Sequence, residues 1–323
     1  MNMSTMNKVL TAVLVLTGGV AMTGCGSDGG AGGAVTAKQA ALLSTAPALH
    51  GSEWFKAVKF VNGSDGWTAG SEGKILRTSN GGKTWVLQNS GTTQWIYGLS
   101  FVSPTTGCAV GAAGTVVRTS DGGDTWTAGA SGFSGIFYGV ASLDGQTFVA
   151  VGQDGAVFKS TDGGATWSAR TSGTAQWLYA VTFVDATTGW AAGFGGSMIK
   201  TTDGGETWTA QSAGSTALYA VDFADAMNGC AVGADGAILT TSNGGAIWMP
   251  RASGTTQTLT GAAFAGPNLG WAVGHGGTLL RTKDGGETWT TMDSGTDEIL
   301  WAIAARNSGA VAVGSGATVL KVD

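Results

Sequence analysis

One eight-residue motif recurs six times: TSNGGKTW ending at Trp85, TSDGGDTW at Trp126, STDGGATW at Trp167, TTDGGETW at Trp208, TSNGGAIW at Trp248 and TKDGGETW at Trp289. The closing tryptophans lie 41, 41, 41, 40 and 41 residues apart. A unit of that size cannot hide its apolar faces alone and must stack on copies of itself. In the fourth unit the runs Trp177 to Val184, Gly189 to Gly193, Ser197 to Thr202 and Thr207 to about Gln211 read as four strands. Short loops join them: Asp185 to Thr188, Gly195-Gly196 and Asp203-Gly204-Gly205. Apolar residues alternate along the runs, with no 3.6-residue period between the glycines. Four antiparallel strands in about 40 residues predict a propeller blade.

First-strand segments begin near Trp54, Trp95, Ile136, Trp177, Ala217, Thr258 and Ile299, so the ring has seven blades. The expected fold is all-β, a single seven-bladed β-propeller of four-stranded antiparallel blades spanning residues 35–323. The seventh unit carries a second strand (Val311 to Gly314) and a third (Thr318 to Val322), and then the chain stops. An unpaired edge invites association, so Val35 to His50 is expected to supply the missing strand and close the ring. The Ala and Leu of that segment also suit a helix. Composition agrees with strands and tight turns. The 57 glycines lack collagen's period, and 43% hydrophobic residues with 13 tryptophans exceed what a disordered chain holds.

Ahead of the repeats, Lys8 precedes the apolar stretch Val9 to Ala21, too short to span a bilayer and fitting a signal-peptide core. It ends in Met22-Thr23-Gly24-Cys25, which resembles the bacterial lipoprotein processing box. That resemblance implies a signal peptide over 1–24, acyl chains on Cys25 and a chain exported and lipid-anchored to the cell envelope. An ordinary cleaved signal with a chance cysteine is the alternative. Residues 25–34 are Gly-rich and read as a tether. Gly26, not aspartate, follows the cysteine, which in a Gram-negative host implies the outer membrane.

The repeated octapeptide resembles the Asp-box of sialidase-like propellers. Asn80, Asp121, Asp162, Asp203, Asn243 and Asp284 are read as turn-formers, because Asp or Asn bonds nearby amides while the glycines accept positive φ. Two of the six are asparagine, and six equivalent sites around a ring do not make one catalytic centre. Glycoside hydrolysis needs two carboxyl groups facing one bond. The remaining acids, Asp65, Asp144, Asp185, Asp225 and Asp235, fall in loops of different blades. Asp222 stands on a first strand with no carboxylate partner in view, and Lys59 holds its place in blade one. Sialidases also carry an Arg-Ile-Pro motif, which does not occur here. Two histidines, His50 and His275, rule out a His-rich metal site and are the two candidates for the base of a Ser-His-Asp triad, which argues against one. Cys108 and Cys230 share one repeat position three blades apart, too far for a disulfide, and are expected as free core thiols. No catalytic residue, metal or cofactor is assigned. A net charge of −5 without a basic run excludes nucleic acid.

Two columns stand out. One position of the first strands reads Lys56, Tyr97, Tyr138, Tyr179, Tyr219, Thr260, Trp301, and it contains every tyrosine of the chain. Facing the axis, Tyr97, Tyr138, Tyr179, Tyr219 and Trp301 would form an aromatic collar for a peptide or a glycan. The same column would arise from core residues copied with the repeat. The second column, Arg77, Arg118, Lys159, Lys200, Thr240, Arg281 and Lys321, is read as stems buried with charges left in water. Arg170 and Arg251 are read as solvated surface.

The Asp-boxes, the export signal and the recurrent Ala-Val-Gly-x-x-Gly turn (Ala109 to Gly114, Ala231 to Gly236) together resemble the photosystem II stability/assembly factor family. That resemblance implies a non-enzymatic, membrane-tethered scaffold binding another exported or membrane protein. The family's partner-binding face is arginine-rich, whereas the few arginines here are spread among blades. A lectin-like or glycosidase propeller is the second reading.

Overall fold

A computed structural model describes residues 51–306 and 309–322. These form seven antiparallel sheets at 55–88, 96–128, 137–170, 178–212, 218–251, 259–292 and 300–322, here blades 1 to 7. Six sheets have four strands in chain order, and blade 7 has three. The fourth unit shows how closely boundaries follow pattern: its strands are Leu178–Phe183, Gly189–Gly193, Ser197–Thr201 and Thr209–Ser212.

Seven apolar clusters occupy the seven blade-to-blade interfaces. One of them packs Phe55, Phe60, Leu76 and Trp85 of blade 1 on Val311, Val313 and Val319 of blade 7, so the ring is closed. Every second strand is buried along its whole length, from Gly66–Gly70 to Gly309–Gly314, because each sheet is covered on both faces. Stacked pairs tighten two interfaces: Trp67 on Phe101 at 3.7 Å and Trp190 on Phe223 at 3.6 Å between centroids. Such pairs contribute about 0.5–1.5 kcal/mol beyond their buried area.

The second and third strands are joined by a one-turn 3-10 segment whose central residue is left-handed, as at Glu72, Ala113, Asp154 and Asp235. In blades 1 to 6 the residue that follows is a glycine packed against the incoming chain. A Cβ on Gly114 would stand 1.7 Å from the Phe133 carbonyl of the chain entering the next blade. At the ring junction Ala317 takes this role, donating its N–H to the Glu53 carbonyl at 2.8 Å, as Gly277 does to Glu298 at 2.9 Å. Residues 35–50, expected to complete blade 7, lie outside the described residues, as do the signal segment, Cys25 and the tether.

Each Asp-box is a hydrogen-bonded turn. In the second, Thr119 Oγ1 donates to Asp121 Oδ1 at 2.8 Å and accepts the Gly123 N–H at 2.8 Å. Thr125 donates its N–H at 2.9 Å and its hydroxyl at 2.6 Å to the same carboxylate. The donating threonine of each box holds Asp121, Asp162, Asp203 and Asp284 down at about 2. Asp144, Asp185, Asp225 and Glu206 are depressed too, by turn amides and hydroxyls or, for Glu206, by Arg170 and Lys159. Carboxylates depressed on folding stabilise the fold fully above their unfolded values near 4, and this contribution is lost as pH falls toward about 2. Urea midpoints are therefore expected to fall steeply below about pH 4. Changing Asp121, Asp162, Asp203 and Asp284 together to Asn, as two boxes already have, removes four of these eight groups and is expected to reduce that slope by about half. An unchanged slope would contradict the assignment.

Candidate functional site

The innermost strands run side by side around an axis, and their register separates two mouths of a central channel. The starts of these strands pair with the ends of the second strands (Phe55 with Gly70), on the face bearing the 3-10 turns. Their ends pair with the second-strand starts (Phe60 with Gly66), on the face bearing the Asp-boxes. Collar and boxes therefore lie on opposite faces.

The first column does converge. Lys56, Tyr97, Tyr138, Tyr179, Tyr219, Thr260 and Trp301 line one cavity of about 190 Å³, all half-buried. The tyrosines contact in series, with centroids 5.5 Å (Tyr97–Tyr138), 5.2 Å (Tyr138–Tyr179) and 5.1 Å (Tyr179–Tyr219) apart. Trp95 stacks on Tyr97, Trp177 on Tyr138, and Trp54 on Trp301, which extends the aromatic surface outward. Trp54 and Trp177, at the entries to blades 1 and 4, are each 39% exposed. Burial raises the phenols of Tyr97, Tyr138 and Tyr179, that of Tyr138 to about 12, so they remain donors at neutral pH. Trp301 Nε1 is buried without a partner among the described residues.

Lys56, the first member of the column, sits in the collar with the tyrosines. Its Nζ lies 2.9 Å from the Trp301 ring centroid and 5.1 Å from that of Trp54. Loss of hydration lowers its pKa to about 7. The surrounding turns carry Asp154, Asp235 and Glu298, and Glu72 paired with Lys74 at 3.1 Å, so the aromatic mouth has an excess of negative charge at its rim.

The other mouth is a cavity of about 440 Å³ lined by the C-terminal halves of all seven innermost strands. Asp222 belongs to its wall. It accepts the Phe264 N–H of the next blade at 2.8 Å, as Ser100 accepts that of Ser142 at 3.0 Å. Burial raises its pKa, and Lys59 is the charge that opposes this rise. The loop acids are turn caps: Asp185 accepts the N–H groups of Thr187 and Thr188, each at 2.7 Å, and Asp225 those of Met227 and Asn228. Cys108 and Cys230 are unpaired and fully buried, and burial pushes the Cys108 thiol up to about 12. Among the described residues no group of three His, Cys, Asp or Glu side chains is placed to hold a metal.

The basic column needs correction. The heads of Arg77, Lys159 and Lys200 cross to the next blade rather than stand in water. Arg77 lies 3.7 Å from Asp124, Lys159 Nζ is 2.7 Å from Glu206, and Lys200 Nζ donates to the Gly244 carbonyl at 2.8 Å. Arg170 and Arg251 are likewise engaged, with Glu206 and Glu287. Outer-strand position alone could not reveal these pairings, because each partner comes from a different repeat.

A lysine of lowered pKa is deprotonated in the fold but protonated when unfolded between about pH 7 and 10, so its contribution to stability rises with pH across that window. A pH titration of ¹³C-dimethylated lysines is expected to show one resonance with a midpoint near 7, absent in Lys56→Met. All lysines titrating together near 10 would rule out the desolvated collar amine.

Residues 46–175 and 213–298, more than half of the chain, match the family described as photosynthesis system II assembly factor YCF48. No curated protein matches significantly. A solved structure of YCF48 bound to a D1 peptide is 19% identical with a TM-score of 0.71, covering 88% of this chain and 94% of that one. YCF48 from Cyanidioschyzon merolae is 21% identical with a TM-score of 0.71, covering 89% and 98%. The GH74 enzyme of Niastella koreensis shares the fold at 15% identity and a TM-score of 0.66, covering 84% of this chain but 52% of its own. By its family match, the chain belongs to the photosynthesis system II assembly factor YCF48 family.

Proposed function

We propose that this protein is a non-enzymatic scaffold, tethered to the envelope membrane through acylated Cys25, that holds a segment of another exported or membrane protein on its collar face. The observation that carries the reading is the collar itself: all four tyrosines and Trp301, brought from five blades to one mouth. Packing alone asks only for rings of suitable size. Half-exposed phenols held as donors, with exposed indoles beside them, supply the apolar area and polar handles of a protein-binding surface. Membership of an assembly-factor family supports the same reading, and a propeller of this fold binds a D1 peptide.

The acidic rim favours a partner segment with apolar or aromatic residues flanked by basic ones. This differs in sign from the arginine-rich face that the family resemblance implies, so the partner need not be a photosystem protein. Hydrolysis finds less support: the buried channel acid Asp222 caps a backbone amide and faces Lys59, not a second carboxylate.

Two experiments test this. Tagged protein cross-linked in its own membranes is expected to capture a discrete partner. Replacing Tyr97, Tyr138, Tyr179 and Tyr219 together with Leu is expected to reduce capture at least tenfold with the thermal midpoint nearly preserved. Full capture by the folded variant would remove the collar from the mechanism. Separately, Cys25→Ser is expected to move the protein from the membrane to the soluble fraction, and continued membrane retention would refute the anchor.

A further inference from the structure

Blade 5 is the one blade without a lysine or arginine at the third-strand position of Arg77 and Lys200. At three other interfaces long side chains cross to a glycine carbonyl of the next blade's box. Trp67 Nε1 donates to the Gly122 carbonyl at 3.0 Å, Trp190 Nε1 and Lys200 Nζ to that of Gly244 at 3.2 and 2.8 Å, and Arg306 to that of Gly81 at 2.9 Å. Arg306 crosses from the innermost strand of blade 7, whereas Lys200 lies on a third strand as the cross-strand neighbour of the second-strand Trp190, as Arg77 is of Trp67. In blade 5 that pair is Cys230 and Thr240, short at both places. The Gly285 carbonyl of blade 6 consequently receives neither an indole nor a cation among the described residues.

A cavity of about 370 Å³ lies in that groove, with Thr240, Gly285, Asp284 and Glu287 in its lining. The adjoining box is also altered. Five boxes use Thr84, Thr125, Thr166, Thr207 or Thr288 to face the turn, whereas the fifth has Ile247, 58% exposed. Beside it, Met249 is 50% and Met227 52% exposed. Burying such groups is favourable, and methionine adapts to varied shapes. Arg251 enters from the outer strand, bonding Thr240 Oγ1 at 2.9 Å and Glu287, yet the cavity remains beside it.

We propose that this groove is a second docking site, taking an arginine or lysine side chain of a protein partner that is flanked by apolar residues. The incoming stem occupies the space that Lys200 and Arg77 stems fill in their own grooves. Its head meets the Gly285 carbonyl and shares the Glu287 carboxylate with Arg251, as Lys159 and Arg170 share Glu206, and the flanking residues cover Ile247 and Met249. The site deepens the protein-binding reading, but it lies on the Asp-box face, opposite the collar, so the two readings fail separately.

The test uses the full chain with ¹³C-methyl methionine, the Met249 resonance being assigned by Met249→Leu. Acetyl-Ala-Leu-Arg-Leu-Ala-amide is expected to shift the Met249 methyl saturably, while the uncharged citrulline peptide binds at least fivefold more weakly. Thr240→Lys fills the slot from within and is expected to abolish the shift. Glu287→Gln is expected to weaken it at least threefold should Thr240→Lys not fold, and the tyrosine collar variant to leave it unchanged. No shift, an equal shift with citrulline, or a shift that persists in folded Thr240→Lys overturns the proposal.

Discussion

A four-stranded blade of this protein has two apolar faces and no way to cover either, and the whole structure follows from that constraint. Burial falls at the seven junctions between blades rather than within any one sheet. The second strands, sandwiched most deeply, are small and apolar at nearly every position because no side of them meets water. Removing one blade would strip two junctions at once. Stability is thus a property of the closed ring, as expected where nearest-neighbour interfaces dominate.

The junctions also use directional contacts. Indole N–H groups, lysine and arginine heads, and the carbonyls of box glycines meet across the grooves. The box accordingly has two roles: its own side chains close a turn, while in three boxes the carbonyl of Gly81, Gly122 or Gly244 receives the neighbour's donor. This explains why box aspartates, though acidic and repeated, are occupied: their oxygens already accept the donors that hold the turn. Against such regularity, departures carry information. Lys56 among tyrosines and Thr240 among cations are two such departures.

Much of this was legible in the linear chain. Blade number, strand limits within a residue or two, the turn role of the Asp-boxes and the separation of Cys108 from Cys230 follow from a period of 41 residues and the two-residue alternation of strands. The tyrosine column was legible as well, since residues at one repeat position must share one radius of a ring. The destinations of long side chains were not legible. Arg77 and Lys159 read as solvated because their partners, Asp124 and Glu206, sit 47 residues away in the next repeat. Asp222 read as an isolated acid because its partner is a backbone amide of the following blade.

By itself, the sequence determined that seven similar sheets exist and which residue of each faces the axis, because both depend on local periodicity. Only the tertiary structure decided what those residues do together. Closing the ring turned scattered tyrosines into one collar, desolvated Lys56 among them, and left a cavity where Cys230 and Thr240 are too short to cross. Distances between repeats depend on how the sheets pack, and no local pattern encodes them.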